Sequence, residues 1–355
     1  MPVPQLIPEL EWRVLTELVN EIKGPQTFLQ NYLFSNHRTL PTRFFEIPTI
    51  RGNRAMAGFT APDAEALMIE GLGTESKLIG GISQRLKKAF TPTPLLFNRQ
   101  LDHVVQLTDG GDQRSMVMQH IARDTQRMVD MSVNSIEYLA SQSLTGVISY
   151  TSEEDGVAFL LDFGKSAENT VVLTGTALWT DALSNPGSDV LDAKRRQSDV
   201  LGLAPTDVIM GQEAADAWLA NAKIQAQMDN RRLASGSGQD LTTQFNDQGV
   251  IFLGNMFGVN WWEYSRSIVV PGVGLVPLVA PKMAHFVTRS PAAEQVLYFT
   301  AISDMEAFMG GVLQAERFSK SWFEHDPSAL IQLTETHPLP VLRRPDSIYS
   351  VQVVA

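Results

Sequence analysis

The sequence predicts an α+β fold, and two patterns in the chain carry this prediction. The first is a long amphipathic helix over residues 112–144, and the second is an alternation of short strands with helices from residue 147 onward. The alternation alone would also suit an α/β fold. With 355 residues the chain is longer than one ordinary core holds, so two or three packed units are expected.

The N-terminal stretch predicts a helix over residues 9–22. Its apolar residues recur at helical spacing, and Gly24-Pro25 ends the helix. A cluster rich in apolar and aromatic residues follows over residues 28–34. Such a segment can belong to the core or can be an arm that docks on a neighbouring molecule, and the pattern favours neither.

Residues 44–97 differ from the rest of the chain. Short β-like runs such as Phe44–Ile47 alternate with glycines and prolines, and no long amphipathic helix fits the segment. A loop-rich insertion of this length is either functional or disordered. We expect an ordered excursion such as a long hairpin.

The helix over residues 112–144 is the clearest element of the sequence. Asp109 or Asp112 can cap its start, and Gly146 ends it. A helix of this length is roughly 50 Å long, which exceeds the diameter of a small domain, so it should run across the molecule. Its apolar stripe consists of Val117, Ile121, Met128, Ile136, Leu139 and Leu144, and the charged residues predicted off the stripe are Arg114, Arg123, Arg127 and Glu137.

Strands and helices then alternate along the remaining sequence. Strands are predicted over residues 147–150, 159–163, 170–173, 208–210, 250–253, 259–264, 275–280, 285–287 and 348–353, and helices over 185–201 and 212–228. The inward-facing residues of the last helix are predicted to be Ala214, Ala217, Trp218, Ala222 and Ile224. The stretch after residue 318 is rich in proline and forms a block of different character.

Charge and composition exclude several classes of protein. The net charge of −11 argues against a nucleic-acid binder of the usual kind, because phosphate contacts need clustered Lys and Arg. The short basic runs at 85–88 and 194–196 are isolated and are typical of a solvated helix face. The absence of cysteine excludes disulfides and Cys-ligated metals. No apolar run is long enough to span a bilayer, so we expect a soluble protein without a membrane partner.

The sequence shows no motif that carries chemistry. None of the histidines (His37, His103, His120, His285, His325 and His337) has a metal-ligand spacing. No nucleophile elbow or P-loop is present, and the Gly-Ser run at 235–238 indicates a flexible linker. His325-Asp326 beside His337 would suit a hydrolase only with a serine in a strained turn, for which the sequence offers no candidate. We therefore predict no catalytic, cofactor-binding or metal-binding residue and no enzyme activity. A cryptic hydrolase is the enzyme-class alternative.

The C-terminal stretch carries a distinctive arrangement of residues. Trp322 precedes Asp326-Pro327, the apolar, proline-containing Pro338–Leu342 follows, and then come the Pro345-Asp346 turn and the closing Val351–Val353. This arrangement resembles the C-terminal signature of the lambda-like major capsid protein E family of tailed bacteriophages.

Further segments resemble this family in their order and spacing. Leu161–Gly164 is similar to one of its hairpins, Met228–Arg232 to the end of an axial-domain helix, and Phe257–Val259 to the strands after that helix. The cluster at 28–34 is similar to the family's opening aromatic cluster. Residues 46–95 resemble the family only in their general composition and not in specific residues.

The resemblance implies the Hong Kong 97-type capsid fold. The implied parts are an N-terminal arm over residues 1–43, an extended E-loop hairpin over 44–97, a peripheral domain over 98–189 with the spine helix 112–144, an axial domain over 190–315, and returning peripheral-domain strands over 316–355.

The resemblance also implies a function. The chain would be a structural subunit of the icosahedral phage head, forming pentamers and hexamers of a procapsid that expands and encloses double-stranded DNA. Scaffolding, portal and decoration or cement proteins are the implied partners, DNA would be contacted weakly and without specificity, and no cofactor is implied. Assembly would occur in the host cytoplasm, and the assembled protein would be part of the virion. An encapsulin-type nanocompartment shell protein is the alternative with the same fold.

Overall fold

A long helix and a seven-stranded sheet organise the chain around two main cores. The computed structural model describes residues 11–25, 27–49, 75–91, 110–151, 158–235, 244–246, 249–290, 293–311, 314–326 and 328–355. The helices are α1 (Trp12–Glu21), α2 (Phe28–Tyr32), α3 (Gly110–Ser143), α4 (Pro186–Leu201), α5 (Gln212–Ala220), α6 (Ala222–Ser235) and α7 (Met305–Gly310).

The strands are numbered in chain order from β1 to β19. They are β1 (His37–Thr39), β2 (Phe44–Thr49), β3 (Glu75–Gly80), β4 (Gln84–Phe90), β5 (Val147–Thr151), β6 (Ala158–Asp162), β7 (Thr170–Val172), β8 (Asp207–Met210), β9 (Gln244–Asn246), β10 (Val250–Met256), β11 (Val259–Tyr264), β12 (Ser267–Val270), β13 (Gly274–Pro277), β14 (Met283–Val287), β15 (Gln295–Phe299), β16 (Phe318–His325), β17 (Ser328–Thr336), β18 (Pro338–Leu342) and β19 (Ile348–Gln352).

The seven-stranded sheet has the order β7-β19-β14-β8-β11-β10-β9. Strand β14 pairs antiparallel with β8 and β19, whereas β8 and β11 run parallel. The core on this sheet is rich in aromatic rings, and Trp179, Trp218, Trp261 and Phe286 are all buried in it. The indole rings of Trp218 and Trp261 stack with their centroids 4.5 Å apart. All four residues of β8 are buried, which explains why Val208–Met210 form a continuous apolar run in the sequence after Asp207.

Helix α3 begins at Gly110 and ends at Ser143, where the sequence predicts a helix over 112–144. It contacts α1, β4, α2, β5 and β18, and therefore links most parts of the molecule. Gly146 follows it with a left-handed backbone (φ +91°), a conformation that favours glycine. Five predicted stripe residues are buried, namely Ile121, Met128, Ile136, Leu139 and Leu144. No described helix, α3 included, is long and apolar enough to cross a membrane.

The burial of Glu137 differs from the prediction for α3. The sequence places it off the apolar face, but its side chain is fully buried. The physical reason is that hydrogen-bond donors from two other elements surround its carboxylate, as described below. Arg123 and Arg127 are exposed as predicted. The side chains of Arg114 and Val117 lie outside the described ones.

Two three-stranded sheets accompany α3. Strand β15 pairs parallel with β1 and antiparallel with β18 in the first sheet. In the second sheet, β17 lies between β16 and β4, and its pairing with β4 runs from Leu330↔Phe90 to Thr336↔Gln84. Strand β4, which lies within the predicted E-loop segment, is thus paired with β17 from near the end of the sequence.

The N-terminal residues 12–39 pack against the rest of the same chain. Leu15 and Val19 of α1 lie on α3, Phe28 and Leu29 of α2 enter the main core, and β1 pairs with β15. Of the two interpretations of this stretch, the described part follows the core interpretation. Residues 1–10 of the predicted arm lie outside the described residues.

The glycine-rich segment forms a hairpin followed by a strand of the main body. Strands β2 and β3 pair antiparallel from Phe44↔Gly80 to Thr49↔Glu75. After the turn at 81–83, β4 leaves the hairpin and joins β17. The predicted excursion over 44–97 is therefore a hairpin only as far as Gly80 among the described residues. Residues 50–74 and 92–97 lie outside them.

The helix predicted over 212–228 is two helices, α5 and α6. They separate at Asn221, whose backbone is extended. Its side-chain amide donates hydrogen bonds to the carbonyl of Trp179 and the hydroxyl of Ser184, and its oxygen accepts from the N–H of Lys223. These bonds replace helical ones and cap the start of α6. Ala222 is exposed instead of inward as a result. The residues of this segment that are buried as predicted are Ala214, Ala217, Trp218 and Ile224.

Sheet pairing crosses the predicted domain boundary at residue 316. Strand β15 lies in the predicted axial domain but pairs with β18 of the returning strands. Strand β19 lies in the returning strands but inserts between β14 and β7 of the seven-stranded sheet. Four of the five β19 residues are buried, which suits the interior of a sheet better than an edge. The division into peripheral and axial domains stays a prediction.

We expect Ile121→Asp to destabilise the subunit by about 3 kcal/mol or more. Ile121 is 5% exposed and clusters with Leu15 and Leu330, so a carboxylate there would be buried without a partner. Met131→Asp on the same helix is the matched control, because Met131 is 49% exposed. Thermal unfolding of the two variants measures the difference. Equal Tm values would contradict the burial of Ile121.

Candidate functional site

Glu137 is a buried carboxylate that joins three elements. It accepts hydrogen bonds from the backbone N–H groups of Leu29 (2.7 Å) and Gln30 (2.9 Å) and from the hydroxyl of Tyr264 (2.7 Å). Leu29 and Gln30 belong to the first turn of α2, where the N–H groups lack helical partners. Burial raises the pKa of Glu137 even though these donors act in the opposite direction. The carboxylate of α3 therefore caps α2 and ties both helices to β11.

Asp207 holds the other end of α2. Its Oδ1 accepts hydrogen bonds from the hydroxyl of Tyr32 (2.7 Å), the amide of Asn260 (3.0 Å) and the indole N–H of Trp262 (3.2 Å). Asp207 begins β8 and is buried. The seven-stranded sheet thus fixes α2 at Tyr32, while α3 fixes it at its first turn.

A third group of polar residues lies where the β2–β3 hairpin meets the body, and we call it the hairpin-root cluster (Ser83, Arg85, Glu335 and His337). Glu335 and His337 are buried, whereas Ser83 and Arg85 lie at the surface. The Oγ of Ser83 is 2.9 Å from Nδ1 of His337, and Nε2 of His337 is 2.7 Å from Oε1 of Glu335. Arg85 approaches the other carboxylate oxygen of Glu335 at 3.1 Å. The backbone N–H of Ser303 also donates to Glu335. The turn before β4 is thereby bound to the end of β17.

The order serine, histidine, carboxylate is the one that a hydrolase uses, but its surroundings here indicate a structural tie. The carboxylate of Glu335 is shared with Arg85 and the backbone, so it does not serve the histidine alone. A Cβ atom on Gly81 would lie 2.5 Å from the carbonyl oxygen of His337, which shows how closely the turn packs on this strand. The cluster therefore fixes the position of the hairpin.

The partners of Glu335 in the hairpin-root cluster keep its carboxylate ionised. Burial acts to raise the pKa of Glu335, but the hydrogen bond and charge of His337 and the charge of Arg85 outweigh it. The pKa of Glu335 is consequently held below its ordinary value, and the carboxylate stays ionised. An ionised carboxylate under β4 would be costly to bury without these partners.

A second buried histidine, His285, is also part of a packed network. Its Nδ1 is 2.8 Å from the hydroxyl of Ser350, to which Lys165 donates at 2.7 Å. Burial lowers the pKa of His285 to about 3 and that of Lys165 to about 8. His285 is therefore neutral at physiological pH. Among the described residues no group of three or more side chains could hold a metal ion.

The basic run at 194–196 is engaged within its own chain. The Lys194 ammonium donates to the carbonyl of Phe257, and Arg196 pairs with Glu168. These contacts leave little of the run to act as a phosphate-binding patch. The linker glycines at 236 and 238 lie outside the described residues.

The chain matches a known family of proteins. The profile of the family described as phage major capsid protein E matches residues 11–353. The chain belongs to this family.

Individual relatives of this capsid protein agree with the family match. It is 23% identical over 310 residues to the major capsid protein of Enterobacteria phage P21, which covers 86% of this chain and 87% of the relative. It is 24% identical over 237 residues to the major capsid protein of Escherichia phage N15, covering 64% of this chain and 67% of the relative. The crystal structure of a prophage capsid protein from Escherichia coli CFT073 superposes with a TM-score of 0.67 at 18% identity, over 98% of this chain and 99% of that one.

Family membership confirms the expected identity, fold and broad function. The protein is a structural subunit of a phage capsid with the Hong Kong 97-type fold, it is a component of the virion, and it is not an enzyme. The phage branch is favoured over an encapsulin-type shell, and the hydrolase alternative is excluded. That the chain holds no cofactor or metal stays a prediction.

The hydrogen-bond networks of Glu137, Asp207 and the hairpin-root cluster were not predicted from the sequence. One signal was available, because Glu335 and His337 are two apart in an extended stretch and so share a face. No pattern connects His337 with Ser83, which lies 254 positions away. Likewise, no local pattern connects Glu137 with α2, so the sequence places Glu137 off the apolar stripe of α3.

We expect Glu137→Ala to lower the free energy of unfolding by about 3 kcal/mol, because two backbone N–H groups and a hydroxyl would lose their buried acceptor. Tyr264→Phe should cost only about 1 kcal/mol, since the N–H groups of α2 keep the carboxylate. Urea unfolding of both variants and of the double variant gives the coupling energy. Strictly additive losses would contradict a shared hydrogen-bond network.

Proposed function

We propose that this capsid protein self-assembles into the pentamers and hexamers of an icosahedral head. It would form a procapsid first, and this shell would expand as double-stranded DNA is packaged. The family match over residues 11–353 is the observation that carries the proposal. Many contacts, each of them modest, would give such a shell great collective stability.

We propose that the segments of the subunit have the roles of the predicted domains. Residues 44–97 would supply the E-loop, 98–189 and 316–355 the peripheral domain with its spine helix, and 190–315 the axial domain. Residues 1–43 would supply the N-terminal arm, of which residues 12–39 pack on their own chain. The exposed side chains of Phe44 and Leu78 on the β2–β3 hairpin support an E-loop that a neighbour covers.

The proposed partners follow from the same function. Scaffolding protein would guide the procapsid, a portal would admit DNA, and a decoration or cement protein would bind the outside of the shell. Assembly would take place in the host cytoplasm. The absence of cysteine suits this compartment, where disulfides rarely form.

Sedimentation velocity and negative-stain imaging of the purified protein, with scaffold supplied, test the proposal. We expect large particles, sheets or capsomers, because the projecting hairpin and the exposed apolar side chains need neighbours to cover them. A protein that stays monomeric at high concentration under these conditions would refute the proposed self-assembly.

Shortening the β2–β3 hairpin should separate folding from assembly. The pair Thr49↔Glu75 allows residues 50–74 to be replaced by an Asn-Gly turn, which is suited to a two-residue hairpin loop. We expect this variant to keep the circular dichroism and Tm of the wild type but to form no stable shells. Normal shells would contradict the E-loop assignment, and loss of the helical signal would show that residues 50–74 belong to the subunit's own core.

We propose that packaged DNA contacts the inner wall only weakly and without sequence preference. Each chain carries a net charge of −11, and the basic run at 194–196 is bound within the chain. A basic lining would grip the genome through counterion release. A neutral or acidic wall lets the DNA slide, with mobile cations screening both surfaces over about 10 Å at about 0.1 M salt.

Filter binding of duplex DNA to isolated capsomers measures this contact. We expect weak retention at about 0.15 M salt and little dependence on sequence. Tight binding with a steep salt slope would show that the wall is basic and that net charge is a poor guide to it.

A further inference from the structure

Residues 268–281 form an uninterrupted run without a single polar or charged side chain. Together with Ser267, their first part makes up what we call the apolar hairpin (residues 267–277), in which β12 and β13 pair antiparallel. Three of its side chains point into solvent: Val269 and Val273 are each 74% exposed, and Leu275 is 72% exposed. No other strand among the described residues pairs with either β12 or β13.

The base of the apolar hairpin is firmly held. Val270, Leu278 and Val279 are buried, the last two in the main core. The backbone N–H of Leu278 donates to the carbonyl of Arg266 (2.9 Å), and the Arg266 guanidinium donates to Asn134 of α3 (2.8 Å). The exposed face is therefore presented in a fixed position, which lowers the entropy lost when it docks.

A hairpin of this kind is poorly suited to stay uncovered. A two-stranded sheet is marginally stable on its own, and its open edges offer unpaired backbone groups to another chain. Soluble proteins usually protect such edges with charged side chains, and this run has none. The exposed valines and leucine thus have the character of a contact surface.

We propose that the apolar hairpin docks on a second copy of this chain. The inference rests on the proposed function, in which copies of the subunit assemble side by side. Each copy carries a net charge of −11, so copies repel one another over most of their surfaces. Contact between two acidic chains is favourable where apolar area is large and charge is absent, as it is on this hairpin. DNA would instead require cationic side chains, which the run lacks.

Substitution of Val273 tests whether the hairpin is buried on assembly. Val273→Asp would place a charge in the contact, and Val273→Thr is the matched control of similar shape. Because Val273 is exposed in the subunit, both variants should keep the wild-type Tm. We expect the particle yield of Val273→Asp to fall about tenfold or more, and that of Val273→Thr to change little.

A cysteine probe identifies what covers the hairpin. The chain has no cysteine, so Val273→Cys introduces a unique thiol. In assembled particles we expect this thiol to react with maleimide at least about tenfold more slowly than in dissociated subunits. Benzophenone maleimide attached to the thiol before assembly should yield covalent dimers of the chain on irradiation.

The outcomes separate this inference from the proposed function. Particles in which the thiol stays fully reactive, together with normal assembly of Val273→Asp, would overturn the docking of the hairpin and leave self-assembly intact. Cross-links to supplied scaffolding protein alone would overturn a second copy as the occupant. A wild-type protein that never assembles would overturn both.

Discussion

The fold depends on the buried carboxylate of Glu137. An ionisable group in an apolar core must find hydrogen-bond donors, and here they come from the first turn of α2 and from Tyr264 on β11. Apolar packing alone would tolerate small slips of α2 along α3. The carboxyl group of Glu137 prevents such slips, because a shift would leave it and two backbone N–H groups buried without hydrogen-bond partners. Asp207 repeats the constraint at Tyr32, so the N-terminal segment has a single position on the body.

The rest of the molecule consists of a packed body and two hairpins that project from it. The seven-stranded sheet and α3 hold two extensive cores, from which the β2–β3 hairpin and the apolar hairpin project. Each projecting element is fixed at its base by polar contacts, the hairpin-root cluster in one case and Arg266 with Asn134 in the other. A shell subunit needs this combination, since its contacts must be placed accurately before any neighbour is present.

Local features of the fold could be predicted from the sequence, and non-local ones could not. Helix α3 lies within two residues of its predicted bounds, because a long apolar stripe at helical spacing depends only on nearby residues. The break at Asn221 was missed because it depends on Trp179 and Ser184, which no helical pattern can reveal. The burial of Glu137 was missed because a charged residue on a helix is ordinarily assigned to water. The hairpin-root cluster was missed because its serine and histidine are far apart in the sequence.

The position of β19 has a consequence for how the protein is made. Residues 348–352 fill the gap between β7 and β14, and α1 bonds through Thr16 to Ser319, which lies 303 positions later. A ribosome adds roughly 5–20 residues per second, so the early segments wait for tens of seconds before the strands that complete them emerge. Until then the central sheet has an open slot, and a nascent chain cannot offer a finished surface to other subunits. Because unpaired strand edges invite pairing with other chains, the insertion of β19 closes two edges through which growing copies on one polysome could associate.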